Sequence, residues 1–279
     1  MTAVCSSGGT LYVVGTPIGN LDDLSPRARE VLATVDVIAA EDTRRTQGLL
    51  SRIGVQARVI AYHEHNEEKR VPELLERLTS GATVALVSDA GTPLISDPGW
   101  RLVHAARAAG VSVVPIPGPS AVIVALSAAG LATDRFVFEG FLPRRAGART
   151  ERLRALRNEQ RTLVFFEAVH RLESTFAALV AELGAQRPAA VARELTKVHE
   201  EIRSGTLGEL AAALGGDIPL LGEFVIVVAG DPAGVEPDAE RARRVFELLR
   251  EKLEPREALR LTAAITGVAR NELYKLTRT

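Results

Sequence analysis

The 279-residue chain carries 34 basic and 35 acidic side chains, for a formal net charge of -1, with 46% hydrophobic and 25% charged residues. A balance this close to neutral excludes a globally basic nucleic-acid binder, so any attraction to a polyanion must be local. The single cysteine, Cys5, excludes an internal disulfide framework, and no apolar run reaches the ~20 residues that span a bilayer. The composition is that of an ordinary globular protein with room for two domains. No basic-then-apolar leader is visible, so the expected compartment is a reducing cytoplasm.

Residues 1–9 are rich in serine and glycine and are expected to be disordered. Leu11 to Val14 reads as a strand, followed by the turn Gly15-Thr-Pro-Ile-Gly-Asn20 and a helix opening at Ser25-Pro26. Strand, glycine turn and helix suggest a nucleotide site. However, the Walker lysine is missing, the G-x-G-x-x-G spacing is incomplete, and Pro17 removes an amide that a phosphate would use. The turn therefore reads as a loop shaped for a ligand without phosphate. Val35 to Ala40 is a second strand, ending in the polar edge Glu41-Asp-Thr-Arg-Arg-Thr46, where Thr43 starts a helix to Ile53. Arg58 to Ala61 is a third strand. Tyr62-His-Glu-His-Asn-Glu67 follows, then a helix to about Leu78; two histidines without a third cluster do not make a metal site.

The chain is organised around residues 84–99. Val84 to Val87 reads as a buried strand, and the loop after it packs two prolines, two glycines, two aspartates and hydroxyl residues into a dozen positions. Asp97-Pro98 reads as a helix cap with proline at the first helical position, leading into a helix from Trp100 to Ala109 closed by Gly110. In an open α/β sheet such a loop lies where ligands bind, outside the carboxyl ends of the strands. Val111 to Val114 is the next strand. The stiff run Pro115-Ile-Pro-Gly-Pro-Ser-Ala121 then serves as domain junction and site wall before an apolar helix to Gly130.

This alternation predicts a mainly parallel sheet with helices on both faces. A second sheet domain, with more hairpin-like connections, starts at Arg135. Its strands are expected at Phe136 to Phe141, Thr162 to Phe166, Ala189 to Ala192, through Ile202, and Phe224 to Ala229. Its helices are expected in the arginine-rich segment, up to Leu183, and from Leu207 to Leu214. Residues 144–161 hold seven arginines against two glutamates, a local charge of +5 that suits either an RNA backbone or a solvated helix face. From Val235 a charged helix, then helix, Gly267 turn and helix, resembles a small helix-turn-helix tail, a spacing that suits a packing appendage as well as a nucleic-acid reader. The expected divisions are thus 1–9, 10–120, 121–232 and 233–279.

Proline and glycine loops at strand ends, without a phosphate cradle, suit S-adenosylmethionine, with its cationic sulfonium, flat adenine and ribose. Four segments of the first half carry a resemblance: Leu11-Tyr-Val-Val-Gly-Thr-Pro-Ile-Gly-Asn-Leu21, Ala40-Glu-Asp-Thr-Arg-Arg-Thr46, Val87-Ser-Asp-Ala-Gly-Thr-Pro-Leu-Ile-Ser-Asp-Pro-Gly99 and Pro115-Ile-Pro-Gly-Pro-Ser-Ala121. Three more continue it in the second half: Phe138-Glu-Gly-Phe-Leu-Pro143, Phe165-Phe-Glu-Ala-Val-His-Arg171 and Arg193-Glu-Leu-Thr-Lys-Val-His-Glu-Glu201. In this order they resemble the tetrapyrrole-methylase superfamily and, within it, the small-subunit ribosomal RNA methyltransferase I family.

The resemblance implies a two-domain class III α/β methyltransferase, homodimeric. It would transfer methyl from S-adenosylmethionine to the ribose 2′-hydroxyl of a decoding-centre cytidine in 16S rRNA, free or in the small subunit. It places the donor against Pro17, Asp89, Ala90, Gly91, Leu94, Ile95, Ser96, Ser120 and Ala121 of the first half. The second half is expected to add Phe166, Ala168, Leu195 and Ala229. From residue type and strand-end position, Glu41, Asp42 and Glu167 are the candidate general bases, with His65 behind them. Arg44 and Arg45 are candidates for flanking phosphates, and His65, Arg144, Arg145 and Arg149 complete the expected RNA contacts. The competing expectations are a tetrapyrrole C-methyltransferase and a non-catalytic nucleic-acid-binding regulator using the tail.

Overall fold

The computed structural model describes residues 9–231, 239–268, 271, 273 and 274. They divide into two compact units: residues up to 157 with 161–229, and 158–160 with 230 onward. The expected disordered start falls on residues 1–8, outside the described residues. Gly9 itself is packed, its amide donating to the Leu78 carbonyl at 3.0 Å.

The first sheet consists of β1 (Thr10–Val14), β2 (Val37–Ala40), β3 (Val59–Ala61), β4 (Thr83–Val87) and β5 (Ser112–Ile116). It is wholly parallel, in the order β3-β2-β4-β1-β5. Alternation along β2 decides its two faces. Ile38 and Ala40 pack with α1 (Pro26–Thr34) and α2 (Thr43–Arg52), whereas Val37 and Ala39 pack with α3 (Glu67–Thr79) and α4 (Trp100–Ala108). Local chemistry sets the helix starts. Ser25 accepts from the Ala28 amide with Pro26 at the first helical position, and Asp42 accepts from the Arg44 amide at 2.8 Å.

The second sheet runs β6 (Phe136–Phe141), β7 (Thr162–Ala168), β10 (Glu223–Val228), β8 (Pro188–Arg193) and β9 (Glu201–Thr206). Only β6 and β7 are parallel; β10 runs antiparallel to both its neighbours, and β8 to β9. One face carries α6 (Ala146–Ala155), α7 (Leu172–Leu183) and α8 (Leu207–Ala213). The other face receives α5 (Ala121–Ala128), so the helix that follows β5 packs on the second sheet and not the first.

The second unit contains α9 (Ala239–Arg250) and α10 (Pro255–Thr266), with α10 ended by Gly267 in the left-handed conformation (φ 74°). Ala242, Val268 and Leu273 form its small core, and Asn271, Leu273 and Tyr274 are helical. Much of the expected last helix lies outside the described residues.

Candidate active site

Four carboxyl ends of the first sheet, those of β2, β4, β1 and β5, release loops toward one place, as a parallel sheet requires. Two backbone features lock these loops together. Thr16 and Gly91 exchange amide-to-carbonyl bonds of 2.9 and 3.1 Å. Gly15 and Gly118 approach so closely that a Cβ on either would lie 2.7 Å from the other's backbone. A third tie is reciprocal. The Asp89 amide donates to Glu41 Oε2 at 3.3 Å, and the Asp42 amide donates to Asp89 Oδ1 at 3.0 Å. At the far end of the β4 loop, Glu67 Oε1 accepts from the Gly99 amide (3.0 Å) and from the hydroxyl of buried Tyr62 (2.8 Å).

Facing these loops, the second sheet contributes an aromatic corner. Phe138 and Phe141 meet the Phe166 ring edge-to-face, with centroids 4.9 and 5.7 Å away. The β8–β9 loop adds Leu195 between two residues of positive φ, Glu194 and Thr196. Leu94 and Ser96 bracket Ile95 in the same way on the β4 loop. The halves are joined by the Asn20 amide, which donates to Thr196 Oγ1 at 3.1 Å.

Between the two sheets lies a cavity of about 450 Å³. Asp89, Ala90, Gly91, Ile95, Ser96, Ser120, Ala121, Phe166, Ala168 and Leu195 of the expected donor site line it. Three others lie elsewhere. Pro17 sits one residue too early, and its neighbour Ile18 provides the lining. Leu94, turned by its φ of 76°, packs into the core of the first sheet beside Gly99. Ala229 lies at the opposite end of β10, because an antiparallel strand brings its amino end, Gly222 to Val225, to the cavity. Sequence reasoning also missed Thr92, Asp97, Phe141, Val169 and Gly222 to Val225. Thr92, Asp97, Phe141 and Val169 stood in motifs that could have signalled them, whereas Gly222 to Val225 did not.

The candidate bases separate sharply. Glu41 lines the cavity, and burial raises its pKa, opposed by the bond from the Asp89 amide. Asp42 caps α2 and pairs with Arg44 through two bonds of 2.8 and 3.2 Å, and this pair holds its carboxyl at about 2. We therefore expect Asp42→Ala to leave turnover within about threefold of the parent and to lower the thermal midpoint at neutral pH. A depressed carboxylate stabilises above its ordinary range. The difference in midpoint should thus close as pH falls from 3.8 to about 2, as scanning calorimetry can check.

Glu167 is among the residues lining the cavity, but its carboxylate is committed to partners away from it. Period-two alternation along β7 sends it with Leu163 and Phe165 toward α7, while Phe166 and Ala168 face the cavity. Its carboxylate has no exposure. It accepts from Thr175 Oγ1 (2.5 Å) and the Ala168 amide (2.9 Å), and lies 3.4 Å from Arg171 Nε. Asp97 was expected to cap α4, but Gly99 holds that position (φ 138°), and Asp97 instead lines the cavity.

Among the expected RNA contacts, Arg44 is committed to Asp42, Arg45 stands 3.4 Å from Asp89 at the cavity, and His65 is exposed beside Glu64. Arg144 and Arg145 are exposed at the start of α6, whereas Arg149 is half-buried with its Nε enclosed. Arg152 and Arg154 pair with Glu139 and Glu182, so part of the local positive charge is neutralised. Among the described residues no group of three histidine, cysteine or acidic side chains could hold a metal, and no helix is long and apolar enough to cross a membrane.

The model of the tetrapyrrole (corrin/porphyrin) methylases matches residues 10–211, and that of the RsmI C-terminal HTH domain matches residues 236–277. Curated relatives named ribosomal RNA small subunit methyltransferase I match over almost their full lengths. The Xylella fastidiosa strain Temecula1 protein is 51% identical over 96% of this chain and 99% of its own. The Pseudomonas aeruginosa protein is 51% identical over 96% of each. The chain belongs to the ribosomal RNA small subunit methyltransferase I family. Its fold is that of solved tetrapyrrole methylases. Uroporphyrin-III-C-methyltransferase from Thermus thermophilus superposes with a TM-score of 0.56 at 23% identity, covering 79% of this chain and 94% of that one. The structure of a Thermus thermophilus enzyme of the same kind complexed with S-adenosyl homocysteine gives 0.56 at 20%, covering 79% and 97%. The expected class III architecture, with its parallel first sheet and mixed second sheet, is thus observed. In the methyltransferase I family the tail is part of the match, whereas the Thermus enzymes cover only 79% of the chain.

Proposed function

We propose that the chain uses S-adenosylmethionine to methylate the 2′-hydroxyl of a decoding-centre cytidine in 16S rRNA. It would act as a cytoplasmic homodimer, with residues 10–120 and 121–232 as its two α/β domains and 233–279 as its helical tail. The observation that carries this reading is the near-full-length identity with small-subunit rRNA methyltransferases, including the tail model that begins at residue 236.

The side chains of the cavity fit the donor. Ile95, Phe141, Phe166 and Leu195 present apolar surface for an adenine, and the carboxylates of Glu41, Asp89 and Asp97 suit a cation. Arg45 is the one basic side chain among the lining residues, which argues against a nucleotide triphosphate. When bound, S-adenosylmethionine supplies an electrophilic methyl carbon on a cationic sulfur. This chain's contribution is to hold the acceptor hydroxyl in line and keep water out. The bridged loops of Thr16, Gly91 and Gly118 form rigid walls for that purpose, and Asp42 and Glu167 serve the scaffold. Arg144 and Arg145, exposed and without partners among the described residues, are the basic side chains best placed to meet phosphates.

Mass mapping of 16S rRNA from a deletion strain, before and after complementation, tests the reading. A 2′-O-methyl mark that vanishes and returns supports it; an unchanged map refutes it. Offering uroporphyrinogen alongside small subunits tests the tetrapyrrole alternative. Replacing Arg144 and Arg145 together by alanine is expected to flatten the slope of log K against log salt by about 1 per lost phosphate contact. Fluorescence anisotropy on labelled rRNA measures this, and S-adenosylhomocysteine binding should be unchanged.

A further inference from the structure

We propose that Trp100 is a stacking platform for a base of the RNA strand that carries the acceptor ribose; this rests on reading the cavity as an RNA methyl-transfer site. The chain's single tryptophan is the first residue of α4, immediately after Gly99 and three residues beyond Asp97, which lines the cavity. Three residues span at most about 11 Å, so the indole stands within reach of bases near the acceptor. It is 66% exposed, although burying so large an apolar ring would stabilise the fold.

A scattered apolar side chain on a surface needs no ligand to explain it. Trp100 differs in being held and oriented. The His104 ring stacks on the indole, with centroids 5.2 Å apart and planes 19° from parallel. Positions i and i+4 of a helix place the two rings one above the other. The backbone at its root is fixed as well. The Gly99 amide donates to Glu67 Oε1 at 3.0 Å, and that carboxylate also accepts from the buried Tyr62 hydroxyl at 2.8 Å. A flat ring held in place before its ligand arrives loses little conformational freedom on binding.

The surrounding charge suits a polyanion. From Pro98 to Thr133 the chain has no acidic residue. Arg107, on the same face of α4 as Trp100 and His104, is exposed and makes no ion pair among the described residues. Arg101 lies 3.2 Å from Glu68 and 3.7 Å from Glu67, so these two acids of α3 already face a cation. A docking face for a second copy of this chain would extend the apolar surface; here His104 and Arg107 continue it instead. Unpaired RNA bases stack on aromatic rings, and every base has a π-face. A base stacked on Trp100 therefore fixes the strand beside the cavity without reading its sequence.

The test compares the parent, Trp100→Ala and Trp100→Tyr in steady-state methylation of small subunits from a deletion strain. Trp100→Ala is expected to raise KM for subunits roughly 5- to 150-fold, the range of one base–aromatic stack. Its kcat should stay within about threefold of the parent, and Trp100→Tyr should recover most of the loss. Calorimetry should find S-adenosylhomocysteine affinity within about threefold in both variants. Because the chain has one tryptophan, its fluorescence reports this site alone. Naked 16S rRNA should quench the parent's emission saturably, at the midpoint given by anisotropy of labelled rRNA. A KM raised less than about fivefold overturns the proposal, as does emission unchanged by bound rRNA. So does an equal loss of S-adenosylhomocysteine affinity, which would assign the indole to the cavity wall. A sedimentation change between the parent and Trp100→Ala also overturns it, by assigning the indole to contact between copies. A parent that methylates no subunit preparation refutes the functional reading instead, and the fluorescence titration then decides the stacking by itself.

Discussion

Glu167→Ala is expected to destabilise the protein by about 3–5 kcal/mol, because it strands the buried Arg171 cation. Arg171 is largely enclosed, and its Nη2 donates to the carbonyls of Leu142 and Pro143 at 2.7 and 3.3 Å. It therefore cannot follow its charge into water without letting go of the segment that leaves β6. Glu167 supplies the compensating charge, and Thr175 orients it. Urea denaturation should show a large fall in the unfolding midpoint. Glu167→Gln should fall less, since it keeps an oxygen for the Thr175 hydroxyl. An unchanged midpoint with abolished transfer would make Glu167 a chemical group and contradict the packing argument.

Gly118→Ala should damage the site through backbone alone. The added methyl would sit 2.7 Å from the Gly15 carbonyl carbon and oxygen, atoms that cannot rotate aside. The β1 and β5 loops must separate, at a cost of roughly 1–3 kcal/mol. The separation spreads the wall formed by Ser120 and Ala121, so S-adenosylhomocysteine should bind about tenfold more weakly, equivalent to ~1.4 kcal/mol. Gly48→Ala is the control, since an exposed glycine inside α2 with open space around it should gain up to ~1 kcal/mol. Calorimetric titration decides. Parent-like affinity and stability in Gly118→Ala would mean that the two loops are not held by this contact.

Most of the first sheet was legible because its evidence is local. Apolar runs of the right length, Ser25-Pro26 before α1 and the loops at strand ends each announce themselves within a few residues. The errors arose where a decision belonged to distant chain. Asp97-Pro98 has the look of a cap, yet Glu67, from α3, fixes Gly99 as the start of α4. Ala229 was expected at the site from the resemblance alone, and the antiparallel pairing of β10 brings the other end of that strand there. The arginine-rich segment reads as a charge of +5, but Glu139 and Glu182 arrive from β6 and α7 to neutralise part of it. The parity of Glu167 relative to Phe166 was visible, and alternation alone would have turned its carboxylate toward α7.

From its order of residues alone this protein already had its alternating elements, its stiff loops at strand ends and its family. All of these depend on short-range sterics and on motifs written contiguously. Only the folded chain decided which carboxylates are available for chemistry. Asp89 meets Asp42 and Arg45 only because β2 pairs with β4, whereas Asp42 and Glu167 find Arg44 and Arg171 within four residues, and the energy of each charge is set by what surrounds it in space.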